Sequence, residues 1–297
     1  MNKILVTGIN GFIGRNIPAK LLQNHHIIGT GRQDNQRRSD LTEYIQCELG
    51  NDAFIPSILQ HHNTIDTIIH CAASLTGNNE ILKANCKGII QIAELAKKSN
   101  TKKIIFLSSI PVIGRPLYIP VTEEHPLFPQ TVYHSSKIFG ENILNTLQKD
   151  NIQIIILRIP SPIGIGMDSS KIFSVFVSRC IKNLDINLTG EGKRIQNYID
   201  AIDIWQAVSL CLAYNKNNIF NIAQDTSYSN LELAKLCIQE THSKSKICFT
   251  GQKDAEEDKK WIIDITKAKK ELNFKPQISI QTSIKNLAQY YANTYCQ

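Results

Sequence analysis

The strongest constraint on what this chain can fold into stands at its start, where the β-branched run Lys3–Thr7 passes directly into Gly8-Ile9-Asn10-Gly11-Phe12-Ile13-Gly14 and then into helical periodicity over Phe12–Gln23. A strand, a glycine loop and a helix in that order form the setting in which backbone amides and the positive end of a helix meet a pyrophosphate. Gly8 would turn off the strand, Gly11 would let the backbone approach the phosphates, and Gly14 would let the helix lie close to the sheet. The spacing is a variant of the commoner G-x-G-x-x-G, and a plain tight turn is the alternative reading.

The segments that follow repeat the alternation. Apolar, β-branched runs at His26–Thr30, Thr67–Cys71, Lys103–Ser108 and Gln153–Leu157 read as strands, with helical patterns at Glu80–Ser99 and Val132–Lys149 between them. Strands that are apolar throughout belong to a sheet covered on both faces, so the expected class is α/β, a Rossmann-type doubly wound parallel sheet. After Pro160-Ser161-Pro162 the rhythm changes, and helices are expected at Ile172–Lys182, Ile202–Tyr214, Asn230–Glu240, Thr266–Leu272 and Ile280–Ala292, with a short strand at Asn218–Ile222. The division read from this is a dinucleotide-binding region over 1–160 and a smaller α/β substrate-binding region over 161–297, with 200–225 returning to the first.

Composition narrows the function classes. Lys plus Arg number 33 against 26 Asp plus Glu, a balance of +7, but pairs such as Arg37-Arg38, Lys97-Lys98 and Lys259-Lys260 are scattered, which fits a solvated surface better than a nucleic-acid groove. No apolar run approaches the roughly 18 residues of a membrane helix, and Met1-Asn2-Lys3 leads straight into a strand, so a cytoplasmic protein without a membrane partner is expected. Cys47, Cys71, Cys86, Cys180, Cys211, Cys237, Cys248 and Cys296 form no C-x-x-C pair and read as reduced thiols, with no metal site expected.

The second strand ends in Gly29-Thr30-Gly31-Arg32 where a binder of the unphosphorylated cofactor usually carries an acid. Arg32 would suit a 2′-phosphate, which leans towards NADP, while neighbouring Asp34 keeps NAD open.

Tyr133 and Lys137 stand four residues apart at the start of a helical pattern, so both emerge on one face. An adjacent ammonium favours the phenolate form of a phenol, which could then exchange a proton with a substrate hydroxyl. Ser109 follows the strand Lys103–Ser108 at the carboxyl edge of a parallel sheet, where ligands bind, and its hydroxyl could hold the same substrate oxygen.

These motifs, with Tyr133-His134-Ser135-Ser136-Lys137 and Ser109-Ile110-Pro111-Val112-Ile113-Gly114, make the chain resemble the extended short-chain dehydrogenase/reductases of the NAD-dependent epimerase/dehydratase branch, whose usual substrates are nucleotide-activated sugars. The resemblance runs nearly the whole length, through His70-Cys71-Ala72-Ala73, Asn85, Thr122-Glu123-Glu124-His125-Pro126, Leu157-Arg158, Gly190-Glu191-Gly192, Asp203 and Asp264–Lys269. It implies a cofactor lined by Gly8, Asn10, Gly11, Phe12, Ile13, Gly14, Arg32, Glu48, Leu49, Cys71, Ala72, Ala73, Asn85, Tyr133, Lys137 and Pro160. It also implies a nucleotide-sugar substrate held by Ser109, Arg158, Ser161, Lys193 and Gln196, and a homodimer paired through Glu80–Ser99 and Val132–Lys149.

Departures bear on the reaction. Family dehydratases resemble one another in an Asp-Glu pair where this chain has Ile110 and Pro111, so 4,6-dehydration is disfavoured. Ser161 stands for an asparagine and Gln196 for an arginine that grips the diphosphate, with Lys193 or Arg194 as substitutes. The leading expectation is NADPH-dependent reduction of a 4-keto sugar with Tyr133 as general acid. A C4 epimerase with retained NAD is the alternative, and a non-catalytic dinucleotide sensor is the reading from another class.

Overall fold

The structure is a computed structural model and describes residues 2–33 and 40–295. Asp34, the pair Arg37-Arg38 and Cys296 lie outside the described residues. Up to residue 160 the order is β1 (Lys3–Thr7), α1 (Phe12–Arg15), α2 (Ala19–Asn24), β2 (His26–Gly31), β3 (Glu43–Gln46), α3 (Phe54–Leu59), β4 (Thr67–His70), α4 (Asn78–Ile81), α5 (Gly88–Lys98), β5 (Lys103–Ser109), α6 (Val132–Asn145) and β6 (Gln153–Ile159). Beyond it come β7 (Ser161–Ile163), α7 (Ile172–Ile181), β8 (Ile186–Leu188), β9 (Ile195–Asp200), α8 (Ala201–Ala213), β10 (Asn218–Asn221), β11 (Ser227–Ser229), α9 (Asn230–Thr241), β12 (Ile247–Phe249), α10 (Thr266–Leu272) and α11 (Ile280–Tyr295).

The chain divides into two compact units. Unit one comprises Met1–Gly114, Pro126–Ile159 and Trp205–Phe220, and unit two Arg115–His125, Pro160–Ile204 and Asn221–Gln297. The segment 115–125, read from sequence with the first region, therefore packs with the second.

Unit one carries a seven-stranded sheet in the order β10-β6-β5-β4-β1-β2-β3. The pairs from β6 to β3 are all parallel, and the order reverses beside β1, which opens a crevice at the carboxyl edge between β1 and β4. Ile4, Leu5, Val6, Ile68, Ile69, Ile104, Ile105, Ile154 and Ile156 are all buried, as a sheet covered on both faces requires. The Rossmann-type α/β class read from the sequence is the observed one.

Two of the expected helices differ in their interiors from the sequence reading, for local reasons. The helix expected over Phe12–Gln23 is broken between Arg15 and Ala19, because Pro18 lacks the N–H that would continue it and instead stands at the N-cap of α2. The helix expected over Glu80–Ser99 is continuous but contains a π-helical stretch at Leu82–Lys87 between α4 and α5. That stretch turns Asn85 inwards, as extra-residue turns commonly do at functional sites.

Unit two holds a three-stranded sheet, β11-β9-β7, and the two-stranded pair β12-β8. Its buried Asp203 accepts from the Gln277 and Ile278 amides at 2.8 and 3.0 Å, tying the first turn of α8 to the segment ahead of α11.

Candidate active site

The glycine loop is shaped by close approach. Gly8 has φ +68°, and a Cβ there would lie 2.7 Å from the Ala72 Cα, while one on Gly14 would lie 2.2 Å from the Gly8 carbonyl oxygen. Neither position admits a side chain. At exposed Gly11 a Cβ would meet only the Gly8 oxygen, at 3.1 Å, and no side chain caps the first turn of α1. The loop is also held from its far side, since the fully buried Trp205 donates its indole N–H to the Ile13 carbonyl at 2.8 Å. A fixed loop with an open outer backbone fits the pyrophosphate of a dinucleotide.

The loop after β4 is tied to the loop after β1. Buried His70 shares a 2.7 Å hydrogen bond between its Nδ1 and the Thr7 hydroxyl, and its ring stacks on Phe106 with centroids 5.6 Å apart. Burial, with the Lys137 ammonium, pushes His70 down to about 3. It is therefore neutral in the folded chain and protonated in the unfolded chain below its ordinary value of about 6.5, so its contribution to stability falls as pH drops from about 6.5 towards 3. By pH 4.5 this amounts to about 2–3 kcal/mol, a difference that urea midpoints of the wild type and His70→Asn at pH 7 and pH 4.5 will read as a shallower loss in the variant. Equal losses in both would contradict it.

Tyr133 and Lys137 sit in the first turns of α6, whose N-cap Thr131 accepts from the His134 amide. The Lys137 ammonium donates to the Leu107 carbonyl at 2.7 Å, lies 4.8 Å from the Phe106 ring centroid, and is 5.7 Å from that of Tyr133. Burial pushes Lys137 down to about 8, opposed by Cys71 and Glu141, and pushes the Tyr133 phenol up to about 12. Desolvation is the cause of the upward shift of Tyr133, while the expectation that the ammonium and a bound nicotinamide favour the phenolate concerns the loaded site. Tyr133 is thus a protonated, half-buried acid at neutral pH.

Asn85 is a strut in this arrangement. Its amide donates to the Ser136 hydroxyl at 2.9 Å and to the Ser74 carbonyl at 3.0 Å, and its oxygen accepts from the Ser74 amide at 2.8 Å. Ser136 in turn donates to the Tyr133 carbonyl at 2.7 Å, so the segment after Cys71-Ala72-Ala73 is fixed to the backbone beneath Tyr133. Ser109 is the last residue of β5, buried, two positions beyond the carbonyl that holds Lys137.

Other expected site residues have local partners. Arg158, read as a substrate contact, is 3% exposed and gives its guanidinium to both oxygens of buried Glu141, at 3.1 and 2.8 Å. Ser108 donates to the same carboxylate at 2.5 Å. Glu48 is ion-paired with Lys83 at 3.1 Å, and Leu49 packs where Gly88 leaves room for it. Asn10 donates to the Tyr44 hydroxyl at 3.2 Å, and Arg32 is exposed at the end of β2. Pro160, Ser161, Lys193 and Gln196 belong to unit two, where Ser161 pairs in register with Tyr198, Gln196 with Tyr228, and the exposed Lys193 ammonium with Glu191.

The sequence reading missed Thr7, Phe106, Glu141 and Trp205. Glu141 had a visible signal, because it continues the four-residue spacing of Tyr133 and Lys137 along one helix face.

A model of the NAD dependent epimerase/dehydratase family matches residues 4–223. A Methanocaldococcus jannaschii protein provisionally named UDP-glucose 4-epimerase is 28% identical over 98% of each chain. Among solved structures, the UDP-glucose 4-epimerase of Thermotoga maritima with UDP-glucose aligns with a TM-score of 0.90 at 23% identity, covering 99% of this chain and 100% of that one. The dTDP-glucose 4,6-dehydratase of Bacillus anthracis in complex with NAD aligns with a TM-score of 0.84 at 21% identity, over 99% and 97%. Among the described residues, no helix is long and apolar enough to cross a membrane.

Proposed function

The chain belongs to the NAD dependent epimerase/dehydratase family, and from that premise we infer that it interconverts the C4 epimers of a nucleotide-activated hexose. The observation that carries this reading is the Tyr133–Lys137 pair on one helix face, with Ser109 at the end of β5 and no further acid or base directly after it. A bound nicotinamide dinucleotide, which Gly8, Gly11 and Gly14 would cradle at the pyrophosphate, supplies the hydride acceptor and donor and a pyridinium charge that favours the phenolate.

In this reading the Tyr133 oxygen takes the proton of the sugar C4 hydroxyl and later returns it, while the Ser109 hydroxyl orients the same oxygen. Lys137, held by the Leu107 carbonyl, keeps positive charge beside the phenol. Ile110 and Pro111 cannot move a proton, which supports epimerisation over loss of water. Arg158 acts as a strut through Glu141. Pairing of two copies through α5 and α6 accompanies the family resemblance, and sedimentation tests it.

A second reading, NADPH-dependent reduction of a 4-keto sugar, rests on Arg32, whose exposed side chain suits a 2′-phosphate. The two separate in one assay. Purified protein given UDP-galactose should yield UDP-glucose without stoichiometric reductant, whereas steady NADPH consumption with a 4-keto sugar and no epimer formed would replace the first reading by the second.

A further inference from the structure

A second cluster of chemistry-bearing side chains lies in unit one at the amino edge of the sheet, away from the carboxyl edge where β5 ends in Ser109. His26 begins β2, Glu43 begins β3, and His62 follows α3. The Nε2 of His62 lies 3.0 Å and that of His26 3.9 Å from the same Glu43 oxygen, and the two rings stand edge to face with centroids 6.0 Å apart. One ligand atom from each residue can be chosen so that all lie within 4.8 Å of one another.

The His62 side chain is only 6% exposed, yet neither of its ring nitrogens has a hydrogen-bond partner, and the buried Nε2 of His26 has none either. The 3.0 Å contact with Glu43 lacks the direction of a hydrogen bond. Two imidazole nitrogens thus converge on one carboxylate oxygen with their directional bonding unused, an arrangement that costs free energy in a buried place unless something else satisfies it. Neutral imidazole is the form that ligates metals.

We propose that His26, Glu43 and His62 form a binding site for a divalent transition-metal ion of the zinc class, which clasps the amino ends of β2 and β3 to the segment after α3. Two nitrogens and one carboxylate suit zinc, cobalt or nickel, whereas magnesium and calcium call for oxygen donors. Glu43 and His26 are 34% and 31% exposed, which leaves water access to a fourth position. Metal–ligand bonds of about 2.0–2.2 Å put tetrahedral ligand atoms about 3.3 Å apart, so His26, the half-exposed imidazole, turns inwards on binding while His62 and Glu43 barely move.

The test titrates chelator-treated protein carrying Cys248→Ser, which removes the one thiol that is exposed among the described residues, with Co2+ and then Zn2+. Visible ligand-field absorption, displaced by one equivalent of zinc, is expected, together with a Tm rise of about 5 °C in saturating zinc and none in magnesium. His62→Asn, His26→Gln and Glu43→Gln should each weaken cobalt binding at least about a hundredfold and abolish the Tm rise. If His62→Asn does not fold, the two half-exposed positions decide the matter. No cobalt or zinc uptake by the parent, equal uptake by the variants, or an equal response to magnesium would overturn the proposal.

Discussion

Replacing Tyr133 by phenylalanine is expected to lower kcat by about 10²–10⁴-fold, the usual range for a positioned proton-transfer group, with little change in Tm or in dinucleotide affinity. The ring's packing against His134 and its place over Lys137 survive the change, and only the oxygen is lost. Stopped-assay turnover of a nucleotide hexose, beside a dinucleotide titration followed by tryptophan fluorescence, separates the two effects. A variant with wild-type kcat would remove Tyr133 from the chemistry.

The second large effect is expected at Glu141, which no substrate need touch. Its carboxylate takes the Arg158 guanidinium and the Ser108 hydroxyl in a site where both charged partners are nearly inaccessible. Removing one member leaves the other charge buried without compensation, at a cost of about 3–5 kcal/mol. Glu141→Ala and Arg158→Ala should therefore each lose that much in urea unfolding, while the double change to Glu141→Leu with Arg158→Met recovers most of it. Glu141 also supports the ammonium of Lys137, so in its absence Lys137 loses its proton at lower pH. The alkaline fall in the activity of any surviving Glu141→Gln protein should accordingly begin at lower pH than in the wild type. If Arg158→Ala leaves stability intact but weakens substrate binding, the guanidinium is a substrate contact after all.

The parallel sheet was legible because each of its long strands is apolar on both faces, and the glycine loop because close packing leaves residues 8 and 14 no room for a Cβ. Strand β3 and helix α3 were not legible, since Glu43-Tyr44-Ile45-Gln46 and Phe54–Leu59 are too short for periodicity to speak. The Tyr133–Lys137 pair could be read because helical spacing places side chains locally. The direction of the tyrosine's shift could not, because burial is a property of the packed molecule. The same limit applied to Arg158, whose partner lies seventeen residues away on another element. It applied more strongly to His26, Glu43 and His62, which the strand order gathers without any short motif.

In the epimerase reading Tyr133 moves the proton of the sugar hydroxyl, while a bound nicotinamide dinucleotide would take hydride from one sugar carbon and return it to the same carbon. UDP-galactose deuterated at C4 tests it most directly. Mass and proton spectra of the UDP-glucose formed should show the deuterium retained at C4, with no lasting change in the amount of reduced dinucleotide. Hydrogen from solvent or from added NADPH at that carbon, or no epimer at all, would rule out hydride return through Tyr133 and a retained dinucleotide.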